Sequence, residues 1–313
     1  MIRLFIYLTV LLLSAGCNIL SGLSEYDPQN ENDSSGGDTD TTVKDDTSSG
    51  ETDSTINDDT SGWTPMQFDT PLCVWNQAYQ ENYKPDSIGD ILEGAENCYV
   101  LLDVFSSSEA RDAVAPIKKK NNVVGCYMSV GTCEDWRDDY AEMKPYCVET
   151  GWNDWDGEYF VNETTDALKE IMFARIDKMA AWGCDMIEFD NMDWALDDEY
   201  RAKFGFSVTG EESIAYYSAL CDHVHGKGMG CMAKSTAEGA SNFDGGTFES
   251  YPEEMDWWEH DYLQEYLDAG KLGVVVHYAE SDCSGILATY QKEYGDKVSF
   301  ICEDNTEQGY LHF

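Results

Sequence analysis

Two acidic residues, Asp190 and Glu249, have the side chains that hydrolysis of a glycosidic bond requires. That reaction uses two carboxyl groups, one protonated to assist departure of the leaving group and one ionised as nucleophile or base. Asp190 ends the apolar run 185–190, and Glu249 ends the run 246–249. If both runs are strands of one parallel barrel, these side chains meet at its catalytic end with room for a sugar between them. The sequence therefore predicts Asp190 and Glu249 as a catalytic pair.

Three polar residues surround Asp190 along the chain. Side chains alternate along a strand, so Glu188 faces the same side as Asp190 and lies one layer deeper. Glu188 would orient the catalytic pair or raise the pKa of a neighbour through like-charge repulsion. The alternative is a buried structural carboxylate that pairs with Lys234 on the next strand. Asn191 and Asp193 follow the strand end and are predicted to form the rim of the site.

Other strand ends, and the loops beside them, carry acids and aromatic rings. Active sites of α/β barrels lie where strands end, and carboxylates beside flat apolar faces suit sugar rings. Tryptophans more often pack in cores, and only Trp75 and Trp155 are placed well enough to be predicted as sugar platforms. Asp103 and Asp193 are the candidates for contacting a substrate ammonium group. The predicted substrate-binding residues are Trp75, Asp103, Tyr127, Ser129, Trp155, Glu188, Asn191, Asp193 and Lys234.

Short apolar runs alternate with amphipathic helical stretches along residues 63–313. This alternation is typical of parallel strands joined by crossover helices. Eight such runs in a domain of about 250 residues predict an α/β fold, the (β/α)8 or TIM barrel. The predicted strands span residues 72–75, 98–103, 123–129, 185–190, 230–234, 246–249, 273–278 and 298–302.

Two of the connecting helices have clear boundary signals. Thr209 and Glu212 have the spacing of a capping box, in which each side chain satisfies a backbone N–H of the other residue. The helix before the fourth strand is predicted to begin after Thr164 or Thr165 and to stop at Gly183. These signals place the helices between the strands, as a barrel requires.

Residues 1–17 have the pattern of an export signal. Arg3 supplies a positive charge, residues 4–13 are mostly apolar, and small residues precede Cys17. The apolar run is too short to span a bilayer. A lipoprotein-type signal peptide with lipidation of Cys17 is predicted, and an ordinary secretory signal is the alternative. Both predict an extracytoplasmic protein, either secreted or held at a bacterial cell surface or outer membrane through its lipid anchor.

Residues 18–62 are rich in Asp, Ser, Thr and Gly, with almost nothing apolar. Such a segment buries too little surface to offset the entropy of ordering, so a disordered acidic linker is predicted. The glycoside hydrolase domain is predicted over residues 63–313. The net charge of −42, most of it in that domain, argues against nucleic acid and anionic membranes as partners. It fits a cationic ligand, or an acidic surface that serves solubility alone.

Ten cysteines remain when Cys17 is set aside, and an exported protein is expected to form disulfides. Cys133 and Cys147 flank a predicted loop and form the best pair. Cys126, Cys231 and Cys302 fall in apolar strands and are predicted to be buried thiols. No Cys-x-x-Cys occurs, and the five histidines show no ligand spacing, so neither a structural metal nor a cofactor is predicted.

Four stretches of the domain carry motifs of one known family. Residues 125–137 contain Ser-x-Gly followed by Glu-Asp-Trp-Arg, and residues 183–193 contain Glu-x-Asp-Asn-x-Asp. Residues 228–234 end in a lysine, and residues 243–249 end in the second acid. With Trp-Asp-Gly-Glu at 155–158, the motifs cover nearly the whole domain in the right order. On these motifs the chain resembles glycoside hydrolase family 114, the endo-α-1,4-polygalactosaminidases.

The resemblance implies a TIM barrel and an endo-acting hydrolase. The family's proposed catalytic aspartate and glutamate fall on Asp190 and Glu249. By resemblance, Asp190 is the nucleophile and Glu249 the acid/base of a retaining mechanism, with inversion left open. The family's substrates contain galactosamine, which is cationic when deacetylated. The implied partner is therefore a cationic, partly deacetylated amino-sugar polysaccharide.

The chain departs from the family pattern near both acids. Ser235 follows the lysine, Phe248 precedes the glutamate, and Ser250 and Tyr251 follow it, where the family has other residues. If these positions border the site, the linkage or sugar preference differs, and another α-linked glycan is an alternative substrate. A carbohydrate-binding barrel without turnover is the second alternative.

Overall fold

Strands and helices alternate along most of the chain in the computed structural model. It describes residues 63–76, 78, 86–152, 155–238, 242–251, 258, 260–306 and 309–313. The predicted signal peptide, its Cys17 and the predicted linker lie outside these residues. Within the described part of the chain, no helix is both long enough and apolar enough to cross a membrane.

The described residues contain eleven strands. They are β1 (Cys73–Asn76), β2 (Cys98–Leu102), β3 (Val123–Ser129), β4 (Thr132–Glu134), β5 (Glu158–Phe160), β6 (Met186–Asp190), β7 (Gly230–Lys234), β8 (Gly245–Ser250), β9 (Leu272–Glu280), β10 (Ser299–Asp304) and β11 (Gly309–His312). The described helices are α1 (Ile88–Gly94), α2 (Ser108–Lys118), α3 (Tyr140–Met143), α4 (Asp166–Trp182), α5 (Asp198–Phe204), α6 (Gly210–Gly226), α7 (His260–Asp268) and α8 (Cys283–Tyr294), with 3-10 turns at Lys144–Tyr146 and Asp193–Ala195.

The main sheet has the order β1-β2-β3-β6-β7-β8-β9-β10, with every neighbouring pair parallel. The Leu72 N–H donates to Ser299 Oγ at 2.9 Å across the seam between β1 and β10. At the same seam β11 pairs antiparallel with β10, and His312 Nδ1 lies 2.6 Å from Val74 O of β1. The nearly closed barrel confirms the predicted fold class and all eight predicted strands.

Side-chain alternation along the strands separates two apolar regions. Val274, Val276 and Tyr278 of β9 point into the barrel, whereas Val275 packs in the layer between strands and helices. Trp75 on β1 also faces that outer layer, where a Cβ added at Gly94 of α1 would lie 2.7 Å from its ring. Because both faces of these parallel strands are covered, apolar residues occupy successive positions along each strand.

The two helix-boundary predictions are confirmed. Thr165 is the residue that caps α4, accepting from the Leu168 N–H at 3.3 Å. Gly183 ends the helix with φ +90°, a conformation that favours glycine. Thr209 and Glu212 form the reciprocal capping box of α6. Both helices lead directly into strands that reach the site, so these caps help to set where β6 and β7 begin.

Four disulfides are present: Cys73–Cys98, Cys126–Cys184, Cys133–Cys147 and Cys283–Cys302. The predicted Cys133–Cys147 pair is confirmed, and Cys231 is a buried free thiol as expected. The prediction of free thiols was wrong for Cys126 and Cys302. Cys126 pairs with Cys184 from the loop before β6, and Cys302 pairs with Cys283 at the start of α8. The sequence of a strand does not show which distant cysteine will reach it. Four disulfides fit an oxidising compartment.

Candidate active site

Lys234 joins the two predicted catalytic acids. Its ammonium Nζ lies 3.0 Å from Asp190 Oδ1 and 2.8 Å from Glu249 Oε2. The lysine ends β7, the strand between the strands that carry the two acids. Burial by itself would lower the pKa of Lys234, but the surrounding carboxylates, Asp190 foremost, raise it well above its ordinary value. Lys234 is therefore a permanently charged bridge between the two acids.

Tyr278 holds the other oxygen of Glu249. The tyrosine lies on β9, and its hydroxyl donates to Glu249 Oε1 at 2.5 Å. Burial, reinforced by the charge of Glu249, raises the pKa of Tyr278 well above its ordinary value, so the hydroxyl keeps its proton. With Lys234 on one oxygen and Tyr278 on the other, the plane of the Glu249 carboxyl group is fixed. Tyr278 was not among the predicted site residues because an apolar strand gives no sign of which tyrosine meets an acid.

Glu188 lies one layer below the pair, as the strand alternation predicts. It is fully buried, and its Oε2 accepts from Thr247 Oγ1 of β8 at 2.6 Å. Its charge also contributes to the raised pKa of Lys234. Glu188 therefore stabilises the ammonium of Lys234 from inside the barrel. It supports the catalytic pair through the lysine, so both interpretations of this residue from the sequence apply.

Asn191 turns the chain sharply at the end of β6. Its φ is +62°, and its Nδ2 donates to Ser129 Oγ at 3.0 Å. The N–H groups of Val130 and Gly131 both point to Asp190 O, at 3.1 and 3.3 Å. A Cβ on Gly131 would lie 1.7 Å from Asn191 O, so only glycine allows the two strand ends to approach this closely. Ser129 and Asn191 thus position the backbone that carries Asp190.

Glu158 is a buried acid beside this turn that sequence reasoning did not select as a site residue. Its Oε2 accepts from Thr132 Oγ1 at 2.6 Å and from Asn191 Nδ2 at 3.3 Å. Burial, followed by the charge of Glu134, raises the pKa of Glu158 to about 8. The Trp-Asp-Gly-Glu stretch that resembles the family contains this residue, and that was the available signal. Its strand, β5, lies outside the eight barrel strands and was not predicted.

Asp193 follows the turn and begins the 3-10 segment Asp193–Ala195. Burial and then the charge of Asp190 raise the pKa of Asp193 to about 7, while Lys234 lowers it. The rim of the site therefore holds a carboxyl group that changes its charge near neutral pH.

Tyr127 and Asp103 both contact Arg137. The guanidinium of Arg137 lies over the Tyr127 ring, 5.9 Å from its centroid, and 3.0 Å from Asp103 Oδ1. That Asp103 oxygen also accepts from the backbone N–H groups of Phe105 and Ser106, both at 3.1 Å. Asp103 is 3% exposed, so the structure gives it the role of a buried anchor for Arg137. Contact between Asp103 and a substrate ammonium group stays a prediction.

The tryptophans are placed differently from the sequence prediction. Trp75 stacks on His312 with ring centroids 3.7 Å apart and faces the helix layer, so its position does not suit a sugar platform. Trp155 is half-buried at the edge of an aromatic cluster, 6.5 Å from Trp152. Trp136, which sequence reasoning treated as background, is 46% exposed. Trp136 follows β4 at the catalytic end of the barrel. Among the described residues, it is the one large apolar side chain that is exposed.

Two departures from the family pattern lie away from the site. Phe248 is fully buried against Trp258 in the outer layer, with ring centroids 4.7 Å apart. Ser250 is also buried there, and its Oγ accepts from Trp258 Nε1 at 2.9 Å. The expectation that these positions border the site was wrong, because alternation along β8 turns both away from the barrel interior. Ser235, with φ +60° directly after Lys234, does border it.

In the part of the chain that the structure describes, no group of three or more His, Cys, Asp or Glu side chains is arranged to hold a metal ion.

The family model for glycoside-hydrolase family GH114 matches residues 53–312. None of the curated proteins matches the chain. Among solved structures, the fold is similar to Ega3 from Aspergillus fumigatus in complex with galactosamine, at 18% identity and a TM-score of 0.62, with 80% of this chain and 97% of that chain covered. It is also similar to the glycoside hydrolase domain of PelA from Pseudomonas aeruginosa, at 14% identity and a TM-score of 0.54, covering 77% and 96%. At these identities the structures show a shared fold.

Proposed function

Because the chain belongs to glycoside-hydrolase family GH114 and is a glycoside hydrolase, we propose that it cleaves internal α-1,4 bonds in a galactosamine-containing polysaccharide. The observation that carries the proposal is the ammonium of Lys234 held between Asp190 and Glu249. The structure of Ega3 with galactosamine supports the choice of sugar.

The spacing of the two acids supports a retaining mechanism. Since Lys234 Nζ touches both, the two bridged oxygens are at most about 6 Å apart, which is near the ~5–5.5 Å between the carboxyl groups of retaining enzymes. Asp190 attacks the anomeric carbon while Glu249 gives a proton to the departing glycosidic oxygen. In the second step, Glu249 takes a proton from water while the water oxygen attacks the anomeric carbon. The bond to Asp190 breaks, and the sugar leaves with its original anomeric configuration.

Substrate binding draws on charge and on one exposed ring. Asp193 and the remaining acidic surface attract ammonium groups of deacetylated sugars. Trp136 offers a flat apolar face at the mouth of the barrel. Tyr127, Ser129, Asn191 and Lys234 stay assigned to the site, with Ser129 and Asn191 acting through the turn that they hold.

The protein functions outside the cytoplasm in this proposal. Four disulfides support an oxidising location. The lipoprotein-type signal at residues 1–17, lipidation of Cys17 and the acidic linker over 18–62 complete the proposal of a hydrolase tethered at the cell surface. The domain from residue 63 would then meet its polymer away from the membrane.

The test is product release from partly deacetylated polygalactosamine. Wild-type protein is expected to form short oligosaccharides, while Asp190→Asn and Glu249→Gln lower kcat on the order of 10³-fold or more. Asp296→Asn, at an exposed aspartate remote from the site, serves as the matched control and should retain full activity. NMR of the first products should show the α anomer if the configuration is retained.

The competing function is a binding barrel. It predicts that wild type and Asp190→Asn bind the polymer alike and that neither releases product. That outcome would remove the hydrolase proposal for this substrate. The outward positions of Phe248 and Ser250 take away the sequence feature that favoured a binder.

A further inference from the structure

A second cluster of reactive side chains lies at the opposite end of the barrel from the acids. Cys221 comes from the last turns of α6, and Cys231 is the second residue of β7. Both are buried free thiols, and each acts on the pKa of the other, so they are neighbours. They differ from the other eight described cysteines, which are all in disulfides. Two neighbouring free thiols are the exception among these cysteines.

His225 and Asp244 flank the pair. His225 Nε2 lies 3.7 Å from Cys221 Sγ and 2.8 Å from Asp244 Oδ2. The same Asp244 oxygen accepts from the Cys231 N–H at 2.9 Å. One carboxylate therefore orients the imidazole and anchors the strand residue that carries the second thiol. The cluster is rigid because each of its members belongs to α6, β7 or the residue before β8.

The electrostatics make the two thiols unequal. Burial raises the pKa of Cys221, but hydrogen bonds from Cys231 and His225 outweigh it and lower that pKa. Burial and contact with Cys221 raise the pKa of Cys231 well above its ordinary value. Asp244 and Cys221 raise the pKa of His225 to about 9 although burial opposes them, so the imidazole is a cation at neutral pH.

Two further charged groups act on this cluster. Asp222 contributes to the raised pKa of Cys231. Lys271, whose own pKa is lowered by burial, is close enough to Asp244 and Cys221 for their charges to act on it. Cys221 Sγ also donates to Asn242 O at 3.2 Å. A thiol with a lowered pKa beside a thiol with a raised pKa is the arrangement of an attacking and a resolving cysteine.

Trp63 covers the cluster from outside. Its ring stacks on His225 with centroids 4.8 Å apart, and its Nε1 donates to Asp244 Oδ1 at 3.4 Å. Trp63 is only half-buried, so the His225 side of the cluster lies near the protein surface.

From this geometry we propose that Cys221 and Cys231 form a redox-active dithiol that closes reversibly to a fifth disulfide. The Cys221 thiolate attacks one sulfur of a low-molecular-weight disulfide, RSSR, forms a mixed disulfide and expels RS⁻. Cys231 then attacks Cys221 Sγ and expels the second RS⁻. The two protons of the thiols end on the two RS⁻ groups, so RSSR is reduced to two RSH and the cysteine pair is oxidised.

Closure ties the end of α6 to the start of β7, the strand whose other end carries Lys234. The bond constrains the unfolded chain, so the oxidised protein is expected to have a higher Tm than the reduced protein. The state of the thiols thereby sets the stability of the strand that holds the site.

The test compares the wild-type protein after exposure to excess oxidised or reduced glutathione. Each sample is denatured, alkylated and mapped by mass spectrometry. The expected result is a Cys221–Cys231 crosslink in the first sample and two alkylated cysteines in the second, with the other four disulfides present in both. The same state of the pair in both samples, or a stable glutathione adduct on Cys221 in wild type, would overturn the proposal.

Variants separate the two roles. Cys231→Ser should trap glutathione on Cys221, whereas Cys221→Ser should take up none. His225→Gln should slow alkylation of Cys221 at pH 7 on the order of tenfold, because the thiolate loses its cation. His223→Gln is the matched control on the same helix, since His223 contacts the surface residue Asp177. Equal alkylation rates in the two histidine variants would contradict the assignment of His225.

Discussion

Lys234 holds the two proposed catalytic carboxyl groups in one geometry. Its buried ammonium lies 3.0 Å from Asp190 Oδ1 and 2.8 Å from Glu249 Oε2. One side chain from the strand between them therefore contacts both acids. The lysine matters for the position of both acids in the site.

Lys234→Met is expected to lower kcat on the order of 10²-fold, because both acids lose the cation that holds them in place. The measurement is kcat on partly deacetylated polygalactosamine. Lys234→Arg keeps the charge and is the control. Equal kcat values for wild type and Lys234→Met would show that the charge of the lysine is unimportant.

Glu158 gives a second prediction, this one for stability. Its pKa is raised from an ordinary 4.5 to about 8, so the folded protein binds this proton more tightly than the unfolded chain does. Stability from this group is fully present below about pH 4.5 and is lost as the pH rises through about 8. Glu158→Gln should abolish that loss, which amounts to on the order of 3 kcal/mol between pH 5 and pH 9.

Denaturant unfolding of both proteins at pH 5, 7 and 9 measures this difference. Glu170→Gln, at an exposed position on α4, is the control and should follow the wild-type curve. Parallel pH dependences for wild type and Glu158→Gln would disprove the buried, protonated state of Glu158.

The contact between the loop after β3 and the end of β6 sets the position of Asp190. The N–H groups of Val130 and Gly131 hold Asp190 O, and the missing side chain of Gly131 admits the backbone of Asn191. Two strand ends are thereby locked together next to the site. This is a property of the pair of elements, because the contacts join residues 130 and 131 to residues 190 and 191.

Gly131→Ala should therefore damage both stability and activity. A Cβ would lie 1.7 Å from Asn191 O, so the backbone must move, at a cost of about 3 kcal/mol in the free energy of unfolding. Chemical denaturation and kcat on the polymer are the measurements. Gly226→Ala in α6 meets open space and should be neutral or stabilising by about 0.5 kcal/mol. Equal effects of the two substitutions would contradict the role of the close approach.

At the scale of the whole molecule, the net charge of −42 acts on any charged polymer that approaches. With the inactive Asp190→Asn protein, binding of fully deacetylated polygalactosamine should weaken on the order of tenfold between 50 and 500 mM salt, because ions screen the attraction. The fully N-acetylated polymer is the neutral control and should show little change. Equal salt dependence of the two polymers would leave the acidic surface without a role in substrate choice.

The fold and the position of the proposed catalytic acids could be predicted from the sequence. Apolar runs, capping residues and glycines are local signals, and they placed all eight barrel strands and the helices α4 and α6. Strand alternation correctly set Glu188 below Asp190, and the order of motifs indicated the family. These features depend on neighbours within a few residues, so the chain itself contains them.

Only the tertiary structure decided which side chains meet. The barrel register brings Lys234 of β7 between acids from the strands on either side, turns Trp75 to the outer layer and pairs Cys126 with Cys184. It also places Glu158, from a strand outside the main sheet, against the turn that carries Asn191. Such contacts join segments far apart in the chain and depend on closure of the barrel, and no local pattern of residues contains that information.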